Sequence, residues 1–274
     1  MRRHSLKLVA SVLVMTSTSL ANATAWPGLP GQTEFSISYE NTQYDDLLTA
    51  DGAVSKGWGV ASHATFFGFS YDLTDAIRLG MNGGYGESSS TKPGGTTKGI
   101  LDSDVHAEIN LVSPFETEGF GLGIRASYRI PGSYELQRVP HGLGKRVQAA
   151  SLEVALGYSV DTVVFETSLG YRLTIPRSAA APDDIFGQSS IAWSPIERAL
   201  LALHYTFQLG QSGPDLSPDV VDLVTLKEED HTLHASLGYR LFDDLGFSLR
   251  FAKALAGRNA PDATRLGFSV NYSL

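Results

Sequence analysis

The chain has 274 residues, 42% hydrophobic and 18% charged, with 28 glycines, no cysteine and a formal net charge of −8. That balance excludes a disordered acidic tail, and a mean hydropathy of −0.05 excludes a bundle of membrane-spanning helices. Without cysteine there is no disulfide, no cysteine-linked lipid and no thiolate metal site, and the acidic excess argues against nucleic acid as a partner.

In chain order, a basic MRRHSLK comes first, then the short apolar run LVASVLVM, then ANATA with its A-x-A ending. This predicts a secretory signal peptide over 1–25, too short in its apolar run to span as a stable helix. The expected cut follows Ala25, with a cut after Ala23 as second choice. Removing the leader takes away Arg2, Arg3 and Lys7 and brings the net charge to −11. Residues 26–274 read as one β-domain.

From there the residues alternate with a period of two, the signature of strands with one apolar face. Phe35, Ile37 and Tyr39 oppose Glu34, Ser36 and Glu40 in the first segment. A second runs over roughly 58–71, and a third sets Ile77, Leu79, Met81 and Tyr85 against Arg78 and Asn82. The fourth is LDSDVHAEINL at 101–111, where Asp102, Asp104, His106 and Glu108 share a face opposite Val105, Ala107, Ile109 and Leu111. In the fifth, Leu122, Ile124, Ala126 and Tyr128 oppose Arg125 and Arg129; the sixth and seventh oppose apolar residues to Glu153, Glu166 and Arg172. The eighth, about 184–194, alternates least clearly. Segments around 201–207, 233–239, 247–251 and 264–274 bring the number to twelve. One or two helical turns are expected in DVVDLVTLKE at 219–228.

The connections alternate in length. DLTD, SVDT, SPIE and FDDL are tight turns; SSSTKPGGTTKG, PGSYELQRVPHGLGKR and the acidic GPDLSPDVVDLVTLKEED are long. An even number of alternating strands with short turns at one end and long loops at the other is the pattern of a transmembrane β-barrel. Such a barrel leaves no backbone group unpaired in hydrocarbon. The expected fold is therefore all-β: one closed antiparallel barrel of about twelve strands, in a Gram-negative outer membrane. Its apolar faces would meet lipid and lipopolysaccharide. Tyr39, Tyr71, Tyr128, Tyr158, Tyr171, Trp193, Tyr239 and Tyr272 fall where interfacial girdles belong. The last strand, TRLGFSVNYSL, is similar to the C-terminal signal of outer-membrane barrels through Arg265, Gly267, Val270 and Tyr272, which implies recognition by the barrel-assembly machinery. Leu274 departs from it, since an aromatic residue usually ends that signal.

The polar faces would then line the lumen. Asp102, Asp104, His106, Glu108, Glu153 and Glu166 are expected there with Arg125, Arg129, Arg172, Arg240 and Arg250, and no lysine joins them. Successive members on one strand face stand about 7 Å apart. They suit a selectivity ring, or bidentate carboxylate–arginine pairs that narrow the lumen. No phosphate cradle, H-E-x-x-H or other metal motif occurs, and His231 and His234 should point to opposite faces. No cofactor or metal is expected.

Several blocks resemble one family of outer-membrane barrels, labelled as a meta-pathway of phenol degradation and described as transporter-like. They are FSISYENTQYDDLLTADG, YDLTDAIRLGMNGGYG, FGLGIRASYRIPGSY, FETSLGYRLTIP and AGRNAPDATRLGFSVNYSL. The resemblance implies a twelve-stranded barrel and uptake of small solutes, aromatic ones included, and brings no site residues with it. A narrow, charge-lined channel is the expected function. The alternatives are a structural, adhesive or binding barrel without conductance, and an outer-membrane hydrolase, for which no local signature is found.

Overall fold

The computed structural model describes residues 25–26, 28–51, 53–91, 94–112, 119–134, 143–175, 181–216 and 225–274. Except for Ala25, the expected leader lies outside these residues, as does 219–224 of the expected helical turn.

Twelve long strands are laid down in order: β1 (Thr33–Tyr44), β2 (Val60–Asp72), β3 (Ile77–Ser90), β4 (Ser103–Val112), β5 (Phe120–Ile130), β6 (Gln148–Val160), β7 (Val163–Ile175), β8 (Asp184–Ile196), β9 (Ala199–Gly210), β10 (Glu229–Arg240), β11 (Leu245–Arg258) and β12 (Thr264–Ser273). Each pairs antiparallel with the next, and β1 also pairs with β12, so the sheet closes on itself. Thr33 and Leu274 exchange backbone hydrogen bonds of 3.0 and 2.8 Å at the seam, on the short-turn end. The turns there are tight: the Leu73 N–H donates to the Ile77 carbonyl, and Leu241 repeats this with Leu245.

Alternation decides which way each side chain points. Ile37, Phe67, Leu152, Leu169, Leu203 and Leu249 are exposed on the outside, while Ser36, Arg125, Glu153, Ser168 and His234 are buried on the inner face. An outer surface this apolar needs hydrocarbon around it. The exposed aromatics form two bands. Tyr71, Tyr158, Trp193, Tyr239 and Tyr272 stand near the short-turn end, and Tyr39, Tyr85, Tyr128, Tyr171 and Tyr205 nearer the long-loop end.

Two elements differ from the sequence reading. SSSTKPGGTTKG is not a plain loop. β3 runs to Ser90, turns, and returns as a short strand, Gly95–Ile100, paired with Tyr85–Ser90. Small and β-branched Ser and Thr residues extend the ladder beyond the point where hydrophobic alternation stops. β8, the least regular segment, is a full 13-residue strand. Its alternation is blunted because Phe186 turns inward. Gly170 on β7 makes room for it: a Cβ at Gly170 would come within 2.4 Å of the Phe186 ring.

At the long-loop end the connections pack on one another. Leu47–Leu48, Val54–Ser55 and Ala260–Pro261 make a small three-stranded sheet. Below it Tyr44, Leu47, Val60 and Ala263 form an apolar cluster. The loop before β10 is clasped to the end of β11: Arg258 donates to both Asp215 oxygens at 2.9 and 2.7 Å, and Asn259 adds a bond of 3.0 Å.

Candidate functional site: the barrel interior

Register brings the ionisable residues together. Reading across β3 to β6 at one level, Arg78 stands opposite Glu108, Glu108 opposite Arg125, and Arg125 opposite Glu153. The row alternates in sign, so each charge has a partner on the neighbouring strand, the arrangement that stabilises cross-strand pairs. Arg125 Nη1 lies 3.4 Å from Glu108 Oε1, both nearly inaccessible. Arg78 holds Asp72 with bonds of 2.6 and 3.0 Å and reaches Glu34 at 3.8 Å. Two levels nearer the long loops, past the His106–Ser127 pair, Arg129 donates to both oxygens of Asp104 at 3.2 and 3.3 Å.

On the next two strands, β7 and β8, Arg172 reaches Asp184 at 3.3 Å and lies over the Phe186 ring, 4.8 Å from its centre. Glu153 accepts from the Ser168 hydroxyl at 2.6 Å, and Glu166 accepts from the Gln188 amide at 3.4 Å. His106 lies on the inner face of β4 beside Gly80. Arg240 is buried at the short-turn end of β10, and Arg250 stands on the inner face of β11. His231 and His234 do point apart. His231 meets the Tyr205 hydroxyl at 2.6 Å on the outside, and His234 meets Thr206 at 3.1 Å on the inside.

Asp102 is a correction. It precedes β4 and holds the β5–β6 loop, accepting the Gly132 and Arg146 N–H groups and the Tyr134 hydroxyl at 2.9, 3.1 and 3.0 Å. Burial and the Asp102 charge push the Tyr134 phenol well above its ordinary value. The lysine-free inner set is a second correction: Lys145 comes in from that same loop and reaches Asp184 at 3.6 Å and Glu228 at 3.3 Å. Strand alternation carries no information about a loop that folds inward.

The short-turn end holds a group the sequence reading missed. Ala25 and Trp26 are buried, Trp26 among Val164, Ala192, Leu200 and Ala202. The Ala25 N–H donates to Glu166 at 3.1 Å. Gly28 passes directly over the Asp72–Arg78 pair, where a Cβ would fall within 1.8 Å of the carboxylate. Ala25, Trp26 and Gly28 thus lie inside the barrel. Inward-facing Leu200 and Val164, apolar on an otherwise polar face, were the signal that something apolar sits there.

No family model matches the chain, and no characterised protein matches it in sequence. Its shape does find matches. An outer membrane channel from Pseudomonas putida F1 superposes with a TM-score of 0.74 at 17% identity, over 91% of this chain and 98% of that one. The fold is that of an outer-membrane β-barrel. Two further barrels fit more loosely. The KdgM porin, in complex with disordered oligogalacturonate, gives 0.51 at 13% identity over 87% and 99% of the two chains. The translocator domain of autotransporter NalP from Neisseria meningitidis gives 0.53 at 14% over 95% and 93%. None of these matches carries the phenol-degradation label; what they share with this barrel is architecture. Among the described residues no group of three or more His, Asp or Glu is placed to hold a metal ion.

Proposed function

We propose that the chain is an outer-membrane channel that passes small solutes, hydrophobic or aromatic ones included, through a narrow interior lined by paired charges. The observation that carries this reading is the contrast between the two faces. The outside is an apolar belt, and the inside is polar, ionic and crossed by arginine–carboxylate pairs. Twelve strands fall between the filled eight-stranded barrels and the open channels of sixteen. The pairs narrow what remains. Phe66, Phe186 and Trp26 give a passing solute apolar surface, in keeping with the family that the sequence blocks resemble.

The same reading includes export by the leader, embedding among outer-membrane lipid and lipopolysaccharide of a Gram-negative cell, and delivery by the assembly machinery through β12. The seating of Ala25 on Glu166 favours a cut after Ala23, which retains that bond, and N-terminal sequencing of purified barrel reads it directly.

Planar-bilayer recording of refolded protein tests the channel. Discrete conductance steps are expected. The double variant Arg125→Gln, Arg129→Gln should shift the reversal potential under a salt gradient toward cation preference, because it frees Glu108 and Asp104. A folded barrel that never conducts would instead favour a binding or structural role, the reading to which the buried Trp26 segment lends support.

A further inference from the structure

A cavity of about 310 Å³ lies against the seam of the barrel, between the inner faces of β1, β10, β11 and β12. Arg250 opens onto it. The other inner arginines of β3, β5 and β7 each have a carboxylate within 4 Å: Arg78 has Asp72 and Glu34, Arg125 has Glu108, Arg129 has Asp104 and Arg172 has Asp184. Even Arg265, across the cavity, reaches Asp230 at 4.0 Å. Arg250 has neither a hydrogen bond nor an ion pair among the described residues; Glu40, which lines the same cavity, acts on it electrostatically without bonding to it. The wall around it is rich in hydroxyls, with Ser38, Ser248 and Ser269 lining the cavity and the last two 2.6 Å apart. Phe66 and Tyr44 close one side with aromatic surface.

A planar guanidinium with its fork free, with hydroxyls and aromatic surface lining the same cavity, matches one ligand chemistry. The two oxygens of a carboxylate fit the fork, and a flat apolar body fits the wall. We infer that the cavity beside Arg250 is a binding subsite for the carboxylate of a small aromatic acid. The inference rests on reading the interior as a solute path and deepens it by naming the head group, but binding there does not require conduction.

The test uses the refolded full barrel in detergent, with benzoate and its neutral analogue benzyl alcohol as probes in calorimetric titrations. Wild type should bind benzoate saturably and benzyl alcohol about tenfold more weakly or worse. Arg250→Gln should bring benzoate down to the level of the alcohol, with heat-modifiable gel migration confirming that the variant is folded. If the Gln variant does not fold, Arg250→Lys decides, because it keeps the charge and loses the fork: benzoate should weaken several-fold. Equal affinity of wild type for the two probes, no saturable benzoate binding, or unchanged binding by either folded variant overturns the subsite. Bilayer recordings keep the two readings apart. A conducting barrel that ignores benzoate loses only the subsite; a silent barrel that binds it loses only the channel.

Discussion

Arg125 and Arg129 differ by four positions on one strand, yet their surroundings predict unequal costs. The Arg125–Glu108 pair is almost fully enclosed, whereas the Arg129 side chain keeps 23% of its surface accessible. Removing one partner of an enclosed pair leaves a bare buried charge. Arg125→Gln should therefore cost about 3–5 kcal/mol in a urea refolding titration, and Arg129→Gln less than half as much; equal losses would contradict the burial difference. On the other face, Leu169 is 58% exposed in the middle of β7. Leu169→Arg puts a charge in hydrocarbon and should cost about 2–4 kcal/mol in lipid vesicles, a penalty that should shrink in a micelle that can deform around it. Side was legible in the sequence at this scale, because a period of two assigns every residue of a strand to one face. Partner was not. Asp72 read only as part of a tight turn, yet it is the main anchor of Arg78, since pairing depends on a register that no single strand encodes.

Among the elements, the long-loop end is where local chemistry and tertiary packing diverge. Strand existence followed from alternation even at β8, but the hairpin formed by β3 and Gly95–Ile100 carries too few apolar residues to announce itself. The inward course of the β5–β6 loop depends on Asp102, 30 residues from Gly132, whose N–H it accepts. The clasp between Asp215 and Arg258 has a readable titration. Hydrogen bonds from Arg258 and Asn259 hold the Asp215 carboxyl down at about 2, below its ordinary 3.8. A depressed acid contributes its stabilisation above the unfolded value and loses it as pH falls through the folded one. Amide protection at 213, 215–216 and 258–259, taken relative to an unstructured chain at the same pH, should therefore hold down to pH 4 and fall between about pH 4 and 2, with Asp215→Asn already unprotected at neutral pH. Unchanged protection across that window would mean that the loops are held by the apolar cluster alone.

For the whole molecule, Ala25, Trp26 and Gly28 make the interior asymmetric: at the short-turn end Trp26 adds apolar filling beside the buried ionic pairs, and at the other end loops cover the lumen. Trp26→Ala removes most of that filling while leaving every strand pair intact. Single-channel conductance should rise, with heat-modifiable migration unchanged; equal conductance would show that the narrowest point lies in the ionic layer or the loops. The seam has a different consequence, one of timing. β1 can find β12 only across more than two hundred intervening residues, so the contact that closes the ring is also the most distant in sequence. Barrels of such high contact order gain nothing from their last pairing until nearly all the rest is in place. Until 264–273 arrives, the first strand has one bare edge, and the growing sheet is an open ribbon whose apolar side must be shielded by something other than itself. Closure here is an event at the end of folding, and a chain truncated before β12 should accumulate as a protease-sensitive ribbon, with no smaller barrel to fall back on.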